Sequence, residues 1–176
     1  MPVPAPSYFH GLLSRPSCEM CPLRYSTKVF PDGPVPARIA FVGEGPGRQE
    51  EEQGKGFVGP TGQILWRLCE RHGLTREQVW VSNAALCRPK DIRLSTGAVI
   101  PMPRVKQLSA DACRSRLLEE MLRIQPVVVV AIGGLALQSV TRLVSPSIFA
   151  YRGSRIDTDF AELLESWRAA LAAGGP

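Results

Sequence analysis

Residues 37–63 read ARIAFVGEGPGRQEEEQGKGFVGPTGQ, and the order of residue types along them decides the fold. An apolar run, Ile39 to Val42, has the length of one buried strand and feeds directly into Gly43-Glu44-Gly45-Pro46-Gly47. The acidic residues Glu50, Glu51 and Glu52 follow, then a second glycine-rich loop, Phe57-Val58-Gly59-Pro60-Thr61-Gly62, and a helix expected from about Gln63. Glycines in such loops let backbone N–H groups approach a ligand with no Cβ in the way. The loops that leave strand ends are also where open α/β sheets hold their sites. The stretch therefore reads as one wall of an active site.

Downstream, Gln63 to Arg71 places Ile64, Leu65, Leu68 and Cys69 on one helical face, with Gly73 as the stop signal. On that face Cys69 reads as a small buried hydrophobe. Val79 to Ser82 is a strand ending at Asn83, and Ala84 to Leu86 leads to Cys87-Arg88-Pro89-Lys90. Residues 91–108 read as a polar, proline-punctuated loop, part of a basic loop over 88–112 that carries Lys90, Arg93, Arg104 and Lys106. Ser109 or Asp111 is expected to cap the next helix, which contains Cys113 and stops before Pro126. Val127 to Ile132 is apolar on both faces, the pattern of a central parallel strand. Gly133-Gly134 turns into a helix over 135–143, and a strand over 148–156 and an amphipathic helix over 161–172 complete the chain. This alternation predicts an α/β fold, a three-layer α/β/α sandwich around a mainly parallel four-stranded sheet.

Upstream, residues 1–36 are rich in proline and lack periodicity, which predicts a cysteine-containing arm or loop rather than a packed element. At 176 residues and 44% hydrophobic content the chain suits one domain, 1–176, with a substantial core. Its formal charge of +5 favours an anionic partner such as nucleic acid. No apolar stretch reaches the roughly 18–20 residues of a membrane span. The first ten residues lack a signal-peptide pattern, so a cytoplasmic protein with no membrane partner is expected.

Apart from Cys69, four cysteines remain: Cys18, Cys21, Cys87 and Cys113. A C-x-x-C pair followed by proline and joined by two distant singles can close a four-thiolate site, and zinc and iron–sulfur clusters both accept it. Disulfides fit poorly with a chain that lacks a secretion signal. His10 and His72 are the only histidines. His10 lies in the arm and His72 at a helix C-terminus, where its charge suits the dipole, so neither is placed like a catalytic base.

Taken together, the Cys18-x-x-Cys21 pair, the Gly43-Glu44-Gly45-Pro46-Gly47 loop, Glu50-Glu51, Gly56 to Gly62, Asn83, Cys87-Arg88-Pro89 and Cys113 resemble the family 4 uracil-DNA glycosylases. The similarity runs from about residue 18 to about residue 153, with further matches at Gln125-Pro126 and Arg152-Gly153. The resemblance implies a 4Fe–4S cluster on Cys18, Cys21, Cys87 and Cys113, with zinc as the alternative. It also implies removal of uracil from DNA by hydrolysis of its N-glycosidic bond, the opening step of base excision repair. In that reading Phe57 stacks on the base and Asn83 reads its edge. Glu44 orients water or stabilises the sugar cation, the amides of Gly43, Gly45 and Gly47 hold an oxygen of the ligand, and Glu50 supports them.

Two features depart from the family pattern. Cys87 and Cys113 stand farther apart than usual, so the segment between them carries an insertion. The family's late histidine-proline-small triplet has no counterpart after Arg152-Gly153, and no histidine follows His72. The departure sets two further readings beside the glycosylase. One is a catalytically impaired module of the same superfamily that binds DNA or a protein partner. The other is a glycosylase or reader for a different modified base.

Overall fold

The apolar run at the head of the decisive stretch forms strand β1, Ile39–Gly43. The computed structural model describes residues 18–141, Gly153, Ser154 and the separate positions Glu165, Ala169 and Ala172. After β1 the chain makes a six-residue helix α1 (Arg48–Gln53) and then α2 (Pro60–Arg71). Helix α2 starts three residues before the expected Gln63, because Pro60 occupies its first turn, where a missing N–H costs nothing. It ends in a Schellman arrangement: the Gly73 amide donates to Glu70 O and the Leu74 amide to Cys69 O, both at 3.0 Å, with Gly73 at φ +70°. A short 3-10 turn, Arg76–Gln78, then delivers β2 (Val79–Asn83), buried along its whole length.

The segment expected to be a loop over 88–112 is largely regular structure. Residues Ile92–Arg93 (β3) and Val99–Ile100 (β4) pair as an antiparallel hairpin, and helix α3 runs from Met102 to Ile124. The sequence reading started that helix too late, at Ser109 or Asp111. Pro103 looked like a breaker, but it lies in the first helical turn, where proline is tolerated. The Asp91 carboxylate at the base of the hairpin accepts from the Met102 amide at 2.7 Å and serves the helix start instead. Gln125, in the left-handed region at φ +47°, ends α3, and β5 (Val128–Ile132) and α4 (Gly134–Thr141) follow.

The sheet runs β2-β1-β5, all parallel, with Gly43 level with Asn83 on one side and Ile132 on the other. Among the described residues it has three strands, not the four expected. Apart from Gly153 and Ser154, the anticipated strand over 148–156 lies outside the described residues, as do the turn at 145–147, Arg152 and His10. So does the final helix over 161–172, apart from Glu165, Ala169 and Ala172. Among the described residues β1 is the middle strand and β5 the outer one, with Val128 and Val130 of β5 49% and 37% exposed.

Period-two alternation in β1 separates the two faces. Ala40 and Val42 join Trp80 and the α3 and α4 residues Leu117, Met121, Ile124, Ala136 and Val140 in one core. Phe41 points the other way, with Val79 and Val81, against Leu65, Trp66 and Cys69 of α2. Helices thus cover both sheet faces, the three-layer arrangement. The expected apolar face of α2 is rotated, however: Ile64 and Leu68 are 54% and 50% exposed, and Gly62, Leu65, Trp66 and Cys69 face inward. Cys69 is half-buried rather than fully buried.

The cysteine arm also differs from expectation. Over its described part it is packed: Leu23 and Val29 are buried, the Val29 amide donates to Leu86 O at 2.8 Å, and Lys28 and Asp32 bridge to Cys87 and Val81. Short bridges of this kind leave no periodicity in a sequence. Among the described residues no helix is long and apolar enough to cross a membrane.

Candidate active site

At the carboxyl ends of β1, β2 and β5, where the chain passes from one side of β1 to the other, an open cavity of about 720 Å³ forms. Gly43, Glu44, Gly45, Gly47, Glu50, Phe57 and Asn83, the residues singled out from the sequence, all line it. Gly43 and Asn83 are its floor. A Cβ on Gly43 would collide with the Asn83 Oδ1 and lie 2.9 Å from Phe57 Cζ, so glycine is what keeps the two side chains in contact with the cavity. Asn83 itself is buried at the end of β2.

Phe57 occupies a left-handed conformation, φ +55°, that a side-chain-bearing residue rarely takes. Two groups hold it there. The Trp66 indole N–H donates to Phe57 O at 3.0 Å, and Gly62 lies so close under the Phe57 backbone that any Cβ would collide with it. This strain of roughly 1–3 kcal/mol persists because the surroundings fix it, and it aims the ring at the cavity.

Glu50, one of the few buried carboxylates, joins the two glycine-rich loops. Its Oε2 accepts from the Gly47 amide at 3.1 Å and its Oε1 from the Gly59 amide at 2.6 Å. Neither Gly47 nor Gly59 could carry a side chain, since a Cβ would come within 3.0 Å of those same oxygens. Glu44 is the more exposed of the two carboxylates, its side chain 30% accessible. Its Oε1 accepts from the Leu135 amide at the start of α4 at 3.2 Å, and its Oε2 from Lys106 Nζ at 3.0 Å. Gly133, at φ +109°, leaves the space that the Glu44 carboxylate fills. Glu44 thus caps a helix and faces the cavity at once.

The site also draws on residues that the sequence did not mark as part of it. Lys106, Met102 and Arg88 line the cavity from the segment read as a loop, and Arg88 Nη1 pairs with Glu51 at 3.1 Å. Beneath Asn83 lies a fully buried ion pair, Arg116 with Glu120 at 2.6 Å. Arg116 Nη2 donates to the carbonyls of Asn83 and Ala84 at 2.8 and 3.1 Å, and the Ser82 hydroxyl donates to Glu120 Oε2 at 2.7 Å. The i,i+4 spacing of Arg116 and Glu120 between apolar positions of α3 is the one pattern from which the pair is readable.

The four cysteines meet on the far side of the Cys87 loop. Cys18, Cys21, Cys87 and Cys113 line a single enclosed cavity with Lys28, and none forms a disulfide. Cys69 is not among them. Among the described residues no three Cys, His, Asp or Glu side chains close on a point as ligands of one ion would. Burial pushes the Cys87 thiol up to about 12, with the Lys28 charge acting against that and the thiols of Cys113, Cys21 and Cys18 adding to it. Burial likewise raises Cys18 and Cys21. Four thiols grouped out of water are held as thiolates only by a strongly cationic group between them, and soft sulfur donors suit iron–sulfur and zinc centres. The donor set fits such a group.

A family model described as the uracil DNA glycosylase superfamily matches residues 30–170. The chain is similar to the type-4 uracil-DNA glycosylase of Thermotoga maritima, 37% identical over 142 residues that cover 80% of this chain and 69% of that protein. It is similar to the type-4 enzyme of Archaeoglobus fulgidus at 35% identity over 129 residues, 72% of this chain and 60% of that one. The type-4 enzyme of Pyrobaculum aerophilum is 30% identical over 129 residues, 72% and 61% of the two chains.

Proposed function

The chain belongs to the uracil-DNA glycosylase superfamily, and from that premise we propose that it hydrolyses the N-glycosidic bond of uracil in DNA. The observation that carries this is the convergence of Glu44, Phe57 and Asn83, from two strands and a separate loop, on one cavity at the sheet's carboxyl edge. The family match over residues 30–170 supports a single domain.

In this reading a uracil flipped out of the DNA enters the cavity. The Phe57 ring stacks on its face, and the Asn83 amide offers one donor and one acceptor to its edge. The backbone amides of Gly43 to Gly45 hold the uracil O2 or a neighbouring phosphate, while that of Gly47 is held by Glu50. Glu44 orients the attacking water and stabilises the positive charge that develops on the sugar as the C1′–N1 bond breaks. Glu50 touches no substrate. It keeps the two loops at a fixed separation through its bonds to Gly47 and Gly59. Exposed Lys90, Arg93 and Arg104 around the hairpin suit phosphate contacts, which position a protein on DNA without specifying sequence.

Cys18, Cys21, Cys87 and Cys113 would hold a 4Fe–4S cluster, the group implied by the resemblance to family 4. Its contribution when bound is structural, because hydrolysis transfers no electrons. Those thiols tie the arm and α3 to the segment directly after Asn83.

Single-turnover release of uracil from a defined oligonucleotide tests the proposal. The wild-type protein is expected to release the base, and Asn83→Ala and Glu44→Gln each to slow release by roughly a hundredfold or more, the usual loss of one preorganised group. Folded, iron-loaded protein that binds uracil-containing DNA and releases nothing would overturn the enzyme reading in favour of a binding module.

A further inference from the structure

The segment between Cys87 and Cys113 is where this chain departs from the family's spacing, and of the residues it brings to the cavity Lys106 reaches the Glu44 carboxylate. Lys106, in the second turn of α3, donates to Glu44 Oε2 at 3.0 Å while the Leu135 amide donates to Oε1 at 3.2 Å. Two donors on separate elements therefore hold both oxygens, and the carboxylate cannot swing about its last torsion. The pair is sheltered, with the side chains 35% and 30% exposed. Lys106 is itself anchored: its neighbour Val105 is fully buried against the cysteine core, and its carbonyl accepts from Ser109 Oγ at 3.0 Å.

Charge makes the second half of the argument. A charge-assisted bond is the stronger kind, and the one from the Lys106 ammonium fixes Glu44 Oε2 in the cavity wall. The other basic residues of the segment differ. Lys90, Arg93 and Arg104 are exposed, whereas the Lys106 ammonium is already engaged inside the cavity.

We propose that Lys106 is a positioning residue for glycosidic hydrolysis, holding the Glu44 carboxylate aimed, so that the inserted segment is part of the catalytic apparatus. This rests on the glycosylase reading above. The test is single-turnover release at saturating and sub-saturating DNA with Lys106→Met, Lys106→Arg, Glu44→Gln and the double variant Lys106→Met/Glu44→Gln. Thermal melts and iron content confirm that each is folded. Lys106→Met is expected to lower the saturating rate roughly 10- to 100-fold, the range for a charged hydrogen bond, with half-saturation moved less than about threefold. Lys106→Arg should restore most of the rate. In a Glu44→Gln background Lys106→Met should add little, because the two act as one unit.

A higher half-saturation and shallower salt dependence in Lys106→Met, with the saturating rate intact, would overturn the proposal in favour of a phosphate contact. So would fully additive losses in the double variant. An active wild type with an equally active Lys106→Met sinks this role alone. A wild type that releases no uracil sinks the glycosylase reading and this role together.

Discussion

At the scale of single residues, the site depends on positions where a side chain must be absent or the backbone must be held against its preference. Gly43 is the clearest case. A methyl group there would press on Asn83 and Phe57, which together form the floor and one wall of the cavity. Gly43→Ala is therefore expected to reduce affinity for uracil-containing oligonucleotide at least tenfold, the effect of about 1.4 kcal/mol. Its midpoint of thermal unfolding should fall by only a few degrees, since β1 keeps its ladder and its core contacts. A variant that binds as tightly as wild type would show that the base does not reach Gly43. Much of this was legible in the sequence. Glu44, Phe57 and Asn83 sit among glycines at strand ends, so their neighbours announced them. Trp66 and Arg116 were not legible as site residues, because their own neighbours look like ordinary helix, and Lys106 was not because its neighbours look like loop.

At the scale of elements, α3 does more than cover the sheet. It carries Cys113, Lys106 and the Arg116–Glu120 pair, and through the last of these it grips the carbonyls of Asn83 and Ala84 from below. Both members of the pair are essentially out of water, at 0% and 1% exposure. Removing one partner leaves the other charge buried and uncompensated, so Arg116→Met is expected to lower stability by about 3–5 kcal/mol in urea unfolding. Arg116→Met/Glu120→Leu should recover a good part of that while still releasing the Asn83 carbonyl. A double variant as unstable as the single one would mean the carbonyl bonds, and not the charge pair, dominate. The start of α3 shows why element boundaries resisted the sequence reading. Pro101, Pro103 and the turn at Gly97 spell loop when read one at a time, but here they cap a hairpin and open a helix. The order of the principal strands and helices from 37 to 141 followed from alternation and apolar runs, whereas α1 and the β3–β4 hairpin are too short to leave a periodic pattern.

At the scale of the whole molecule, a sheet and a cysteine centre meet along one buried stretch, Val79 to Cys87, in which every residue is buried. With the cluster proposed above, Cys113→Ser is expected to lose the brown iron–sulfur absorbance and to lower the unfolding temperature, because a group bound only by the native state stabilises it. Cys69→Ser should keep both, as its thiol lies on α2 against the sheet and not in the cysteine cavity. Equal iron content in the two variants would remove Cys113 from the ligand set. The register of the sheet has one more consequence. Gly43, Asn83 and Ile132 stand on a single rung, so the breadth of the cavity floor is a count of hydrogen-bonded strands spaced about 4.8 Å apart, not a sum of packed side chains. It behaves as a gauge block. Core substitutions that loosen the protein will change how many molecules have a formed cavity at a given moment, but each formed cavity will have the same width. Destabilised variants of this chain should therefore lose activity in proportion to their unfolded fraction while choosing among bases as selectively as the parent.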